Sequence, residues 1–279
     1  MHKTQIRANQ PWWTINWQEI AEYRDLLWML TLRDLTAIYK QTILGPLWFI
    51  IQPLITTLVF TVIFGQLANI STDGIPKIVF YMGGTVLWNY FAGCMTQGAN
   101  SLVANTTILS KVYFPRLIIP LSGVLSNLAH FSLNLMMFLG FYLYFLGFTP
   151  TSMQPRWELA LFPLLVIQCA LVGLGVGLWV AALTTKYRDL RFALTFLTQI
   201  WMYATPIVWP ASLVVRPSMK LLLWSNPLSF IVECARWMFT GTGTITWLAA
   251  SVSIAMTLFL VASGLLVFNR IQRNFVDTI

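Results

Sequence analysis

Few side chains in this 279-residue chain could make or break bonds, and none is spaced to do so. Cys94, Cys169 and Cys234 lie far apart, matching neither a disulfide framework nor metal-ligand spacing, and read as small residues packed among helices. His2 and His130 have no companion cluster of acidic residues, so no metal site or hydrolytic centre is expected. The carboxylates Asp73, Glu158 and Glu233 are too dispersed to favour a membrane-bound sugar transferase. A phosphate-binding loop would need G-x-x-x-x-G-K-[ST], and the nearest spacing, Gly93 to Gly98, runs on into Ala99 and Asn100. The chain is therefore not expected to hydrolyse ATP by itself. Any ATP and Mg would be held by a separate subunit, with no cofactor on this one.

The elements that must carry such a chain are set by its solvent. It is 57% hydrophobic and 9% charged, with mean hydropathy +0.70, so most of it must face lipid. A net charge of +8 could suggest nucleic acid, but the cations are scattered among apolar runs, and membrane topology explains them better. A bilayer core of about 30 Å takes about 20 helical residues. Six charge-free runs approach that length: 47–68, 78–95, 118–145, 159–183, 192–209 and 247–268. Placing both termini inside puts twelve Lys and Arg on the cytoplasmic side and five outside, as the positive-inside rule favours. The first 46 residues hold no apolar run resembling a signal-peptide core, and the first span reads as a signal anchor.

Residues 17–44 pattern as a moderately amphipathic helix, with Gln18, Glu19, Glu22, Asp25, Arg33, Thr36 and Lys40 in one sector and Ile20, Leu27, Leu30, Leu35 and Ile38 opposite. A helix lying along the cytoplasmic leaflet fits best, and Gly45-Pro46 marks an elbow into the bilayer. Residues 221–232 are apolar but too short to cross. Pro206, Pro210, Pro217 and Pro227 interrupt this region. Asn226 as N-cap, Pro227 at the first helical position and Gly241 at the end bound a short helix. Two half-inserted external helices result, a candidate gate, because such backbone survives at membrane depth only beside protein or a wet cavity. The expected architecture is all-α: a tail and interfacial helix (1–46), then a six-span membrane domain (47–279) with re-entrant helices between spans five and six.

Only His130 is ionisable within the spans, which disfavours ion-coupled carriage. If transport is active, a nucleotide-binding partner must dock on the cytoplasmic face. The segment 101–113 offers a docking element, with Leu102, Leu109 and Val112 toward a partner groove.

At this point the motifs resemble a known family. Arg33-Asp34-Leu35, Tyr39-Lys40-Gln41-Thr42-Ile43-Leu44-Gly45-Pro46-Leu47-Trp48 and Gln52-Pro53-Leu54 look like the N-terminal motif of type-2 ABC exporter permeases for cell-surface polysaccharides. Ser110-Lys111-Val112-Tyr113-Phe114-Pro115-Arg116, Tyr187-Arg188-Asp189 and Asn226-Pro227 follow in matching order. The resemblance implies a homodimeric permease of the bacterial cytoplasmic membrane. It would pair with two ATP-binding cassette subunits and export a lipid-linked glycan such as O-antigen, with capsule and teichoic acid permeases closely similar. It also implies that Leu102, Leu109 and Lys111 belong to a coupling helix. Glu19, Glu22, Arg33 and Lys40 would cradle the ATPase, and Pro210, Pro217, Asn226 and Pro227 would belong to an external gate.

Sugar rings present C–H faces that lie well on aromatic rings. Trp88, Tyr90 and Phe91 in the second span and Trp201 and Tyr203 in the fifth are candidates for the translocation path, among polar Asn89, Thr96, Gln97, Gln199 and Thr205. Packing or anchoring is the alternative for each ring. Residues two apart on a helix point about 200° away from each other, so Trp88 and Tyr90 cannot share one lumen, nor Trp201 and Tyr203. Gly173, Gly175 and Gly177 give a G-x-x-x-G spacing read as close packing within the chain.

Overall fold

The computed structural model describes residues 17–40, 45–109, 111–150, 152–184, 187 and 189–274, and among them the regular elements are all helical. Short α1 (Trp17–Glu22) and α2 (Arg24–Lys40) meet at a turn on Tyr23 and together occupy the expected amphipathic segment. Its expected last residues, 41–44, lie outside the described ones. Gly45 has φ 49°, a left-handed conformation that side chains with a Cβ rarely tolerate. Residues Gly45–Leu47 form a 3₁₀ turn that leads into α3 (Trp48–Phe60), so the Gly-Pro elbow stands where it was expected. Helix α3 widens into a π-helical segment, Thr61–Leu67, where Gly65 offers its carbonyl to the Lys77 ammonium.

The chain continues through α4 (Lys77–Ala104), the one-turn α5 (Thr106–Leu109), α6 (Ile118–Phe148), and α7 (Phe162–Thr184) entered by a 3₁₀ turn, Trp157–Leu161. It ends with α8 (Leu190–Ala204), α9 (Pro217–Ser225), α10 (Pro227–Thr240) and α11 (Trp247–Asn274). Four runs are long and apolar enough to cross a membrane: Trp48–Leu67, Ile118–Phe148, Trp157–Thr184 and Trp247–Ile271.

The other two expected spans differ for physical reasons. Helix α4 is long enough but carries polar and small residues, because it sits at the centre: 17 of its 28 residues are buried, packed by α3, α6, α7 and α10 rather than by lipid. Its polar last nine residues, outside the expected span, stay helical. Helix α8 is only 15 residues, roughly 22 Å of rise, and ends before the expected 209. At Thr205 the backbone turns extended (φ −96°, ψ 143°), because the Pro206 ring disfavours helical geometry in the residue before it.

The tightest packing follows the glycines. A Cβ on Gly173 would lie 2.8 Å from the Phe91 carbonyl oxygen, and one on Gly177 2.8 Å from that of Met95, so this face of α7 lies directly on α4. Gly175 points the other way, and a Cβ on its partner Gly264 would lie 2.5 Å from the Gly175 carbonyl oxygen. Helix α7 is thus held between α4 and α11 at backbone contact. The G-x-x-x-G face is used within the chain, with small residues permitting the approach where apolar burial cannot drive it.

Candidate functional site

Function in a helical membrane chain of this kind must sit at its two ends and along any helix its neighbours leave uncovered. At one end, α2 lies against α6. Leu30 is buried with Phe114, Ile118 and Ile119, and Tyr23, Leu26 and Leu27 pack alongside. Of the expected sectors, the apolar Ile20, Leu27, Leu30 and Leu35 are buried or half-buried, and the polar Gln18, Glu22, Asp25, Arg33 and Thr36 are exposed. Leu26 faces the protein, while Trp17, Trp28, Met29 and Leu32 are exposed and form an apolar side away from it.

The polar side of α2 makes specific bonds. The Arg33 guanidinium donates to Asp34 Oδ1 at 2.7 and 3.0 Å and to Asn105 Oδ1, in the joint between α4 and α5, at 3.2 Å. Asp34 Oδ2 accepts from Gln97 Nε2 on α4 at 3.0 Å, and Gln97 Oε1 accepts from Asn127 Nδ2 on α6 at 2.7 Å. A cavity of about 350 Å³ opens beside these groups, lined also by polar Asn100, Ser101 and Thr107 and by apolar Ala104, Ile108 and Ile119.

The residues expected to meet an ATPase separate into two groups. Leu102 is fully buried with Leu117, Leu174, Leu178 and Phe268, because α4 continues past it as a helix, so the core rather than a docking face holds it. Leu109 is half-buried where α5 meets α2 and α6. Lys111, Val112 and Tyr113 stand exposed just beyond α5, as does Glu22 on α1, and Glu19 is half-buried. The backbone of Lys40 closes α2, and its side chain lies outside the described set.

The five aromatic candidates also divide. Trp88 and Phe91 meet with their rings tilted at 5.2 Å, and Phe91 meets Trp201 edge-on at 5.0 Å; Tyr90 turns the other way, onto Phe131 at 4.9 Å. Trp88, Tyr90 and Phe91 are buried and contact protein on all sides, so within one protomer they form a core rather than a lining. Trp201 is half-buried and Tyr203 exposed, as expected of residues two apart. None of the described residues of α8 is buried: Phe192, Phe196, Ile200 and Tyr203 are exposed along one side, Thr195 and Gln199 along the next.

At the opposite end, Asn226 does three things at once. Its Oδ1 accepts from the Leu228 amide, capping α10, and from Trp201 Nε1 at 3.1 Å, while its Nδ2 donates to Thr205 Oγ1 at 2.9 Å. Pro227 fills the first helical position and Gly241 takes φ 76°, as the pattern predicted. Asn226 therefore ties α10 to the end of α8. Pro217 likewise opens α9, exposed, while Pro210 is buried ahead of the turn Ala211–Leu213.

Sequence reasoning missed the strongest electrostatic feature. Glu233 and Arg236, one helical turn apart on α10, form a buried ion pair. Arg236 Nη2 also donates to the Pro206 carbonyl at 2.8 Å, its guanidinium lies 3.9 Å from the Phe80 ring centroid, and Glu233 Oε1 accepts from the Ala211 amide at 3.1 Å. Burial lowers the Arg236 pKa from its ordinary value, opposed by the Glu233 carboxylate. The i,i+3 spacing of opposite charges was the available signal. Asp73, the third dispersed acid at this end, accepts from Ser212 Oγ at 2.9 Å. These carboxylates serve structure. Among the described residues no cluster is arranged to hold a metal ion.

Four helical runs long and apolar enough to cross a membrane, with one buried ion pair on α10 and polar ends built from short helices, define an integral membrane protein. The chain belongs to the ABC-2 type transporter family, whose pattern it matches over residues 25–240. It is 30% identical to an O-antigen export system permease protein of Klebsiella pneumoniae over 254 residues, covering 91% of this chain and 94% of that one. To the O-antigen export system permease protein of Myxococcus xanthus it is 32% identical over 215 residues, 76% of this chain and 78% of the other. A polysialic acid transport protein of Escherichia coli is 22% identical over 211 residues, 74% and 78% of the two chains.

Proposed function

We propose that this chain is the channel-forming subunit of an ATP-driven exporter that moves a lipid-linked polysaccharide of the O-antigen type across the bacterial cytoplasmic membrane. The observation that carries the reading is similarity along nearly the whole chain to O-antigen export permeases. In this reading α4 and α8, the second and fifth spans, join the four apolar runs to make six, both termini are cytoplasmic, and α2 and α5 lie at the cytoplasmic end. The charge balance supports that orientation. Two ATP-binding subunits hold ATP and Mg and dock on α5 and the exposed Lys111, Val112 and Tyr113, with α1 and α2 beside them.

A second copy of the chain completes the path. Helix α8, exposed along adjoining apolar and polar sides, is suited to line it, with Tyr203 and the edge of Trp201 available to sugar rings, Phe91 and Trp88 behind Trp201, and Tyr90 turned away onto Phe131. Helices α9 and α10 are the external gate, hinged at Asn226. A second cargo class, capsular glycan, draws its support from the similarity to the polysialic acid transport protein.

Docking is tested by co-purification with the ATP-binding subunit. Replacing Val112 and Tyr113 together by Asp places two charges in an apolar contact and is expected to weaken association at least about tenfold, since truncating a few central interface residues commonly costs 2 kcal/mol or more. The permease should still accumulate, because both side chains are exposed. Undiminished association would remove this surface from the interface.

A further inference from the structure

We infer that Asp34 and Gln97 are positioning residues that transmit movement of the cytoplasmic helices to the central helix α4. The inference rests on the proposed ATP-driven function. Helix α2 is fixed to α6 by apolar packing but makes no comparably close approach to α4. Between α2 and α4 lies the cavity of about 350 Å³, so close packing cannot carry load there. Two side-chain bonds cross from α2 toward α4: Arg33 to Asn105 at the α4 C-cap, and, deeper along the helix, the 3.0 Å bond from Gln97 Nε2 to Asp34 Oδ2.

Each end of that bond is itself held. Asp34 Oδ1 is gripped by Arg33, which also reaches Asn105 in the joint ahead of α5, so the carboxylate is tied to the docking segment. The Asn105 carbonyl in turn accepts from the Ile108 and Leu109 amides, and its side-chain amide donates to the Ser101 carbonyl. On the far side Gln97 Oε1 accepts from Asn127 and, at 3.3 Å, from Ser126 on α6. Asn127 is anchored by donating to the Gly123 carbonyl at 2.8 Å. The chain of bonds thus runs from α2 and the α5 joint into α4 and α6, and the Asp34–Gln97 contact joins α2 to the body of α4, eight residues inside the end that Arg33 reaches through Asn105. Hydrogen-bond networks joining rigid helices are one physical carrier of coupling between distant sites.

The test uses the whole complex, permease with its ATP-binding subunit in proteoliposomes, and reads glycan moved per ATP hydrolysed. Gln97→Glu sets two carboxylates against each other and Asp34→Ala removes the acceptor; each should lower glycan per ATP about tenfold, within the range of ordinary coupling free energies. Hydrolysis, complex yield and thermal midpoint should stay close to the parent. Asp34→Ala with Gln97→Ala should be no worse than either alone, since both cut one link. The decisive variant exchanges the groups: Asp34→Asn with Gln97→Glu restores one carboxylate and one amide across the gap and should recover most of the lost coupling. Failure of that exchange to rescue, additive losses in the double Ala variant, or parallel falls in complex yield would overturn the inference. A parent complex that hydrolyses ATP yet moves no glycan would overturn the proposed function itself, a result legible before any variant is made.

Discussion

Replacing Arg236 by Met is expected to lower the stability of the permease by about 3 to 5 kcal/mol, the range seen when one partner of a buried ion pair is removed. The side chain is 6% exposed and its partner Glu233 2%, so the carboxylate would remain buried with its charge unopposed. The Pro206 carbonyl would lose its donor, and the cation over the Phe80 ring would go with it. Met fills comparable volume, so the loss reports charge rather than a cavity. In detergent the thermal midpoint should fall by roughly 10 °C, taking about 2 to 4 °C per kcal/mol for a chain of this size. Glu233→Leu added to Arg236→Met should recover a large part of it, because an apolar pair of similar volume removes the stranded charge. A midpoint unchanged in the single variant, or lower still in the double, would show that the pair is not what holds α10 to the segment after α8.

The larger effect is expected at Gly177. A Leu there puts its Cβ 2.8 Å from the Met95 carbonyl oxygen and 3.1 Å from Gly98 Cα before the rest of the side chain is placed. Backbone on the far side cannot rotate away as a side chain can. Helix α7 would have to leave α4, and Gly175 would then lose its register with Gly264 on α11. Folded protein in the membrane should fall at least about tenfold, a steric overlap in a close-packed centre being among the few changes that exceed 4 kcal/mol. Gly140→Leu supplies the control: it stands exposed on α6, nothing lies within 4 Å of its added Cβ, and its level should match the parent. Size-exclusion profiles of a fluorescent fusion measure both. A monodisperse, abundant Gly177→Leu protein would contradict the intrachain reading of the glycine face.

Local chemistry was legible in the sequence wherever a residue type forces a backbone state. Gly45, Asn226, Pro227 and Gly241 stand where their conformational preferences put them, and the four apolar runs are helices within a few residues of their expected bounds. What was not legible is direction. Tyr90 and Trp88 could be assigned to opposite faces from the helical repeat, but no pattern says that both faces are buried when a helix is central. Leu102 read as part of a docking loop because the apolar run stops at Met95, and the amides of Gln97 and Asn100 beyond it are absorbed by partners and a cavity that only the tertiary arrangement supplies. Glu233 and Arg236 were read as separate external charges, since sequence shows their spacing but not that water is excluded from them. The last two misses concern polar groups whose cost depends on what surrounds them.

The central claim is that this chain, with an ATP-binding partner, moves a lipid-linked polysaccharide. The most direct measurement places the purified complex in proteoliposomes with its ATP-binding subunit outward, supplies lipid-linked O-antigen type glycan in the outer leaflet, and follows its protection from an added glycosidase. Protection should grow with time when ATP and Mg are present, and should stop when the partner's phosphate-binding lysine is replaced. Protection that proceeds equally without ATP, or vigorous ATP hydrolysis with no glycan protected, would contradict the account.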